Sequence, residues 1–242
     1  MALTREGGGR RDASRRPAGR SERSVKWNIG VVTSNLPYLL RGIRVTVAVT
    51  FAAMALGAVV GLFVALLRMS RARGLQVLAG LYIDLWRSTP LLVQLIWVFY
   101  ALPILIGHSM TPLVAGVLTM ALHVSAYLAE IYRAGILSIA VGQRHAGLSL
   151  GMTPGQVLRR IVLPQAVTRM LPPIGSQFIS LFKESALVSL ITLPELMWQA
   201  QSLAAFTMRP LEILSAAALI YMVLTLPQAV LVNYLHRRYL AH

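Results

Sequence analysis

A chain of 242 residues that is 56% apolar and only 13% charged is no ordinary soluble domain, whose charged fraction lies near about a quarter. Its net charge of +15 is carried almost wholly by arginine, and it has no cysteine, which excludes disulfides, thiolate catalysis and cysteine-ligated metals. This composition places the chain in a bilayer.

Residues 1–26 hold eight of the 23 basic and three of the eight acidic residues, set among Gly, Ser and Pro. Such a segment cannot bury enough apolar surface to fold, so a disordered basic tail is expected, followed by a transmembrane domain over 27–242. No cleavable apolar stretch follows the tail's paired arginines, and the aromatic interleaving of nucleic-acid binders is missing. A solvated tail or an over-called start is the reading, with no nucleic acid as partner.

Uncharged runs then predict five spans, at about 43–67, 88–105, 112–135, 170–198 and 213–235. Val45 to Leu67 is bounded by Arg44 and Arg68, and its 23 residues at ~1.5 Å each cross a core of ~30 Å. Ser88 to Ala129 has no Asp, Glu, Lys or Arg in 42 residues, and the turn-forming PILIGHSMTP divides it into two crossings. Met170 to Trp198 is interrupted only by Lys183, Glu184 and Glu195, and Ile213 to Leu235 is a clean run.

Arginine placement orients these spans. Arg68, Arg71, Arg73 and Arg87 follow the first, Arg133, Arg144, Arg159, Arg160 and Arg169 follow the third, and Arg237 and Arg238 follow the last. The positive-inside rule puts all three groups in the cytoplasm, the C-terminus with them and the N-terminus outside, although the basic tail alone argues the reverse.

Between the third and fourth spans lies GQRHAGLSLGMTPGQVLRRIVLP, residues 142–164. Thr153, Pro154 and Gln156 form a helix start, with the hydroxyl as N-cap, proline in the first turn and glutamine closing a capping box. Pro164 disfavours helix at Leu163 and is expected to end the run. Gln143 to Leu150 can form a second short helix, with Gly151 permitting a sharp angle between the two. Two short helices at an angle make a knob that can enter a partner's cleft. Gly147, Ser149 and Gly151 also match the G-x-S-x-G nucleophile elbow, but that elbow needs a strand-to-helix turn and no strand is predicted. The only lysines, Lys26 and Lys183, precede Trp27 and Glu184, so no phosphate-binding loop is present and the chain cannot hydrolyse ATP alone.

The connector resembles the cytoplasmic loop of permease subunits in ABC importers, whose pattern runs Glu-Ala-Ala, three residues, Gly, nine residues, then Ile-x-Leu-Pro. Gly151 is followed after nine residues by Ile161, Val162, Leu163 and Pro164, and Ala146 occupies the middle alanine position. Segments 87–95, 126–136, 141–143, 163–166 and 171–191 are similar to the polar amino-acid branch. That resemblance implies an all-α, five-span, type I importer fold with a cytoplasmic coupling-helix loop, in which two permease subunits line a path, as a homo- or heterodimer. It further implies ATPase subunits on the loop, an external solute-binding protein, a multi-pass place in the cell inner membrane, and no cofactor or metal. The coupling positions it implies are Gln143, His145, Ala146, Gly147, Gly151, Ile161, Leu163 and Pro164. His145 and Gly147 replace the first and third motif residues, and Ser176 stands where the branch usually has asparagine.

Ionisable groups inside spans are costly, about 2.5–3.5 kcal/mol for Lys, Arg or Asp at a helix centre, so they are candidates for the path. Lys183 is placed near the middle of the fourth span, with Glu184 pointing about 100° away around the helix. Glu130 is expected either on the path or paired with Arg133 at i,i+3, and Gln94 completes the candidate set. Gly57 and Gly61 read as helix packing, His108 as a loop residue and His123 as a buried hydrogen-bonded one. The reading is therefore a non-catalytic permease working by alternating access; an ATP-independent channel or a membrane scaffold are the alternatives, separable by copurification with an ATPase.

Overall fold

The computed structural model describes residues 27–240, and the predicted tail at 1–26 lies outside them. All regular structure among the described residues is helical. A short α1 (Ile29–Ser34) leads into α2 (Leu36–Arg68), where Pro37 sits in the first turn and its missing N–H costs nothing. The helix begins earlier than the predicted 43 because Arg41 and Arg44, read as boundary charges, continue it.

Helices α3 (Arg73–Ser88) and α4 (Leu91–Ile106) form a bent pair, turning through 102°. Pro90 bars helix at Thr89, which is extended. The predicted span 88–105 is therefore half of a broken element. At ~1.5 Å per residue α4 reaches only ~24 Å, short of a ~30 Å core.

Helix α5 (Pro112–Leu137) starts at Thr111, whose hydroxyl accepts from Val114 N at 3.3 Å, and it is the most buried element. It packs most extensively on α2, at Gly57 and Gly61, where any Cβ would run into Val124, Ser125 O and Leu128. The predicted GxxxG packing role holds.

After α6 (Val141–Ser149) comes α7, continuous from Pro154 to Ile191. Two expectations fail here. Pro164 does not end the helix, because Leu158–Val162 makes a π turn just before it and helix resumes with the proline in its first turn. The wider i→i+5 pattern relieves the clash between the proline ring and the carbonyl four residues back. A second π turn, Trp97–Ala101, precedes Pro103 in the same way. The fourth span also does not run to 198: α7 stops at Ile191, Thr192 is left-handed at φ 62°, and Pro194 bars continuation.

The remaining helices are α8 (Leu196–Thr207) and α9 (Pro210–Leu240). Glu195, fully buried, caps α8 through Trp198 N at 2.8 Å and accepts from Tyr221 Oη at 2.7 Å and Thr46 Oγ1 at 3.3 Å. One carboxylate thus ties α8 to α2 and α9, since buried acceptors must be satisfied. Four described helices are long and apolar enough to span a membrane, and the number rises to five if the bent α3–α4 pair crosses as one span.

Candidate functional site: a polar cavity and a basic knob

Two adjoining depressions, about 550 and 490 Å³, share Arg87 and Tyr127. The first is also lined by Glu130, Ser176, Gln177 and Ser180, and the second by His123 and Glu184. Arg87 comes from the bend between α3 and α4, Tyr127 and Glu130 from α5, and the serines and Gln177 from one face of α7. Its guanidinium carbon lies 5.2 Å from the Tyr127 ring centroid, a cation–π contact, and no carboxylate in the described residues pairs with it. Glu130, in contrast, is taken up by Arg133 in a two-pronged pair, Nη2 donating to Oε2 at 2.7 Å and Nε to Oε1 at 3.2 Å. Glu184 Oε2 is buried without a hydrogen-bond partner.

Of the sequence-predicted path residues, Glu130 and Glu184 line this cavity. Lys183 does not: it lies in the last regular turn before the 3₁₀ segment Ser185–Ile191, exposed on the opposite side from the core. Gln94 is a joint. Its amide nitrogen reaches Trp86 O at 2.9 Å and Thr89 Oγ1 at 2.6 Å while its oxygen meets His123 Nδ1 at 2.9 Å, so it clamps the α3–α4 bend to α5. His123 is hydrogen-bonded and buried, and His108 is an exposed loop residue, both as read from sequence. Arg87 and Tyr127 escaped sequence reading. Arg87 looked like a loop charge, and the aromatic four residues after His123 was the signal that could have paired with it.

The knob is built from local rules. Its first helix ends in a Schellman motif: Gly151 is left-handed at φ 78°, Gly151 N donates to Leu148 O at 3.0 Å, and Met152 N donates to Gly147 O at 3.1 Å. Thr153 and Gln156 then close the capping box reciprocally, at 3.3 and 2.9 Å. A Cβ at Gly147 would come within 2.9 Å of both Ile161 Cδ1 and Val157 Cγ2, which accounts for glycine where the motif carries alanine. Leu163 and Pro164 sit exposed on the ongoing helix, whereas Gln143, His145 and Ala146 are exposed on α6.

Residues 36–241 match the model of the family described as binding-protein-dependent transport system inner membrane component. The chain belongs to that family. Among similar proteins, the glutamine transport system permease GlnP of Escherichia coli (strain K12) is 36% identical over 204 residues, covering 84% of this permease and 93% of its own length. The L-cystine permease TcyB of Bacillus subtilis (strain 168) is 37% identical over 216 residues, covering 89% and 92%. A solved amino acid ABC transporter crystallised with histidines superposes at a TM-score of 0.83, with 37% identity over 88% of this permease and 99% of that chain. The inward-facing MetNI methionine transporter, at 22% identity and a TM-score of 0.72, shares the fold. The permease is thus an all-α importer subunit of the type I fold.

Proposed function

We propose that this permease passes a polar amino acid through the cavity around Arg87, in partnership with a second permease subunit, with ATPase subunits on the knob and a solute-binding protein at the far end. The observation that carries the reading is a guanidinium without a salt-bridge partner and an unpartnered carboxylate oxygen lining adjoining hollows of a helix bundle that exposes many large apolar side chains. Lipid cannot satisfy such groups, and a second subunit facing the same hollow can. An amino-acid head group offers the complementary pair: its carboxylate suits Arg87, which can hold it bidentately, and its ammonium suits Glu184. Relatives named for glutamine, arginine and L-cystine transport support the substrate class. Lys183, exposed where lipid would be costly, faces the second subunit in this reading, and Glu130 stays paired as a wall of the path. No phosphate-binding loop exists in the sequence, so ATP is hydrolysed by the partner.

Uptake of radiolabelled amino acids by cells co-expressing the permease with ATPase and solute-binding partners tests this. Arg87→Met and Glu184→Gln are expected to lower uptake about tenfold or more at unchanged membrane abundance, the loss of one charge-assisted contact on a desolvated substrate. Full uptake in both variants would remove the path from this cavity.

Orientation follows from the arginine bias. Reporter fusions after Gly107 and Ser202 are expected to be active outside, and those after Arg73, Gly155 and Arg238 inside. A cytoplasmic signal at Gly107 would refute the arrangement.

A further inference from the structure

Another depression, of about 400 Å³, sits at the bend between α3 and α4. Leu85 and Trp86 of α3, Val93 and Trp97 of α4, and Leu118 and Leu122 of α5 line it. Apart from the two indoles its polar members are Thr89 and Gln94, and both are spent. Thr89 Oγ1 donates to Leu85 O at 2.8 Å and accepts from Gln94 Nε2 at 2.6 Å, while Gln94 Oε1 meets His123 Nδ1 at 2.9 Å. Such walls offer water no anchor, and an apolar cavity of this kind stays dry. Its depth follows from α5. At ~1.5 Å per residue Leu118 and Leu122 stand ~9 and ~15 Å from the start of that helix, well inside a hydrocarbon core of ~30 Å. Tyr82 Oη, donating to Leu122 O at 3.2 Å, holds the end of α3 at the same level.

We propose that this notch is a binding site for the acyl chain of a bilayer phospholipid, whose end packs behind Gln94 and braces the α3–α4 bend. Three observations fix the occupant. The mouth is apolar and open to the bilayer: Val93 and Trp97 are exposed at its rim, and Leu85 ends an exposed stripe of α3 with Val77, Leu78 and Leu81. The notch also faces away from the hollow around Arg87, because Leu118 is nine residues from Tyr127 on α5, about 180° around the helix. A second subunit closing over that hollow leaves the notch to lipid, a step that rests on the reading of the hollow as the shared path. Left empty, finally, the notch would forfeit dispersion contacts along its whole lining, and a flexible hydrocarbon tail supplies them. Only one layer separates notch and hollow, since Gln94 lines the first and its partner His123 the second. A chain seated in the notch therefore backs the joint that positions Arg87.

The test uses the permease reconstituted with its ATPase subunits in nanodiscs containing trace phosphatidylglycerol with a diazirine at mid-chain, crosslinked residues being read by mass spectrometry. Labelling at Val93, Trp97 and Leu122 is expected to exceed that at Leu219 and Val223, exposed apolar residues of α9, by about five-fold or more, the margin of a couple of extra buried methylenes. Leu122→Phe, which fills the floor, is expected to return labelling at Trp97 to the α9 level. Should that variant not accumulate, Val93→Trp carries the same test at the exposed mouth, with an expected fall of about threefold. Bracing is read by the Tm of delipidated permease in detergent, which added phosphatidylglycerol is expected to raise in wild type and not in Leu122→Phe. Equal labelling of notch and α9 in wild type makes the chain ordinary surrounding lipid and overturns the site. A notch labelled less than α9 is covered by a second subunit or another protein segment, which overturns it too. An equal rise in Tm for wild type and Leu122→Phe overturns the bracing. None of these outcomes touches the transporter reading, which stands or falls with uptake by Arg87→Met and Glu184→Gln.

Discussion

Gly151→Val is expected to abolish uptake and ATPase retention while leaving membrane abundance near normal. The residue sits at φ 78°, where a β-branched side chain is a true outlier, and holding it there costs about 1–3 kcal/mol. A Cβ at this position would meet nothing within 4 Å, so the cost is backbone strain alone and stays inside the knob. The turn escapes it by unwinding the Schellman bonds to Leu148 O and Gly147 O, which swings α6 away from the capped start of α7. The turn reaches the long helices only through Met152, which packs in the cluster of Ile139, Val157, Val162 and Met170, so the contacts among the spans themselves are left in place and they should assemble as before. A Gly151→Val permease that kept both its ATPase and its transport would mean that the knob's angle is irrelevant to coupling.

Gly57→Leu should act at the opposite extreme, removing the protein from the membrane altogether. Any side chain there overlaps Val124 and approaches Ala121 O within 2.9 Å, and the backbone oxygen cannot move without breaking α5. Overpacking in such a close contact forces helices apart, at a typical cost of about 1–3 kcal/mol and more where, as here, leucine adds four carbons against backbone. Since α2–α5 is the main interface of the bundle, steady-state abundance by immunoblot is expected to fall about tenfold or more as the unassembled chain is degraded. Normal abundance of Gly57→Leu would show that α2 and α5 separate without penalty. Gly74, where a Cβ has nothing within 4 Å, is the internal control.

What could be read beforehand divides along local and tertiary lines. Thr153, Gln156 and Gly151 act on their own neighbours within four residues, so their sequence spacing already contained the geometry. Pro164 misled because proline's effect depends on the turn before it, and the π turns at Leu158–Val162 and Trp97–Ala101 have no marker other than the prolines they serve. The end of the fourth span was misplaced for a related reason: Thr192 adopts a left-handed conformation that its type does not advertise, although Pro194 gave a usable warning. That error moved Lys183 to the middle of a helix whose regular part ends one residue after it. Arg87 and Glu195 were invisible in the strict sense. Each gains its role only when Tyr127, or Tyr221 and Thr46, arrives from a distant element.

The continuity of α7 has a mechanical meaning. A stop at Pro164 would have been a loose joint, letting the knob pivot while the bundle stood still. Instead a single shaft of 38 residues begins inside the knob at Pro154 and carries Ser176, Gln177 and Glu184 along its length. Its weakest section is Pro172–Pro173, where two successive ladder bonds are missing, and Pro173 itself borders the hollow around Arg87. A load applied at the knob is therefore delivered as bending at one place, directly beneath the wall of the hollow.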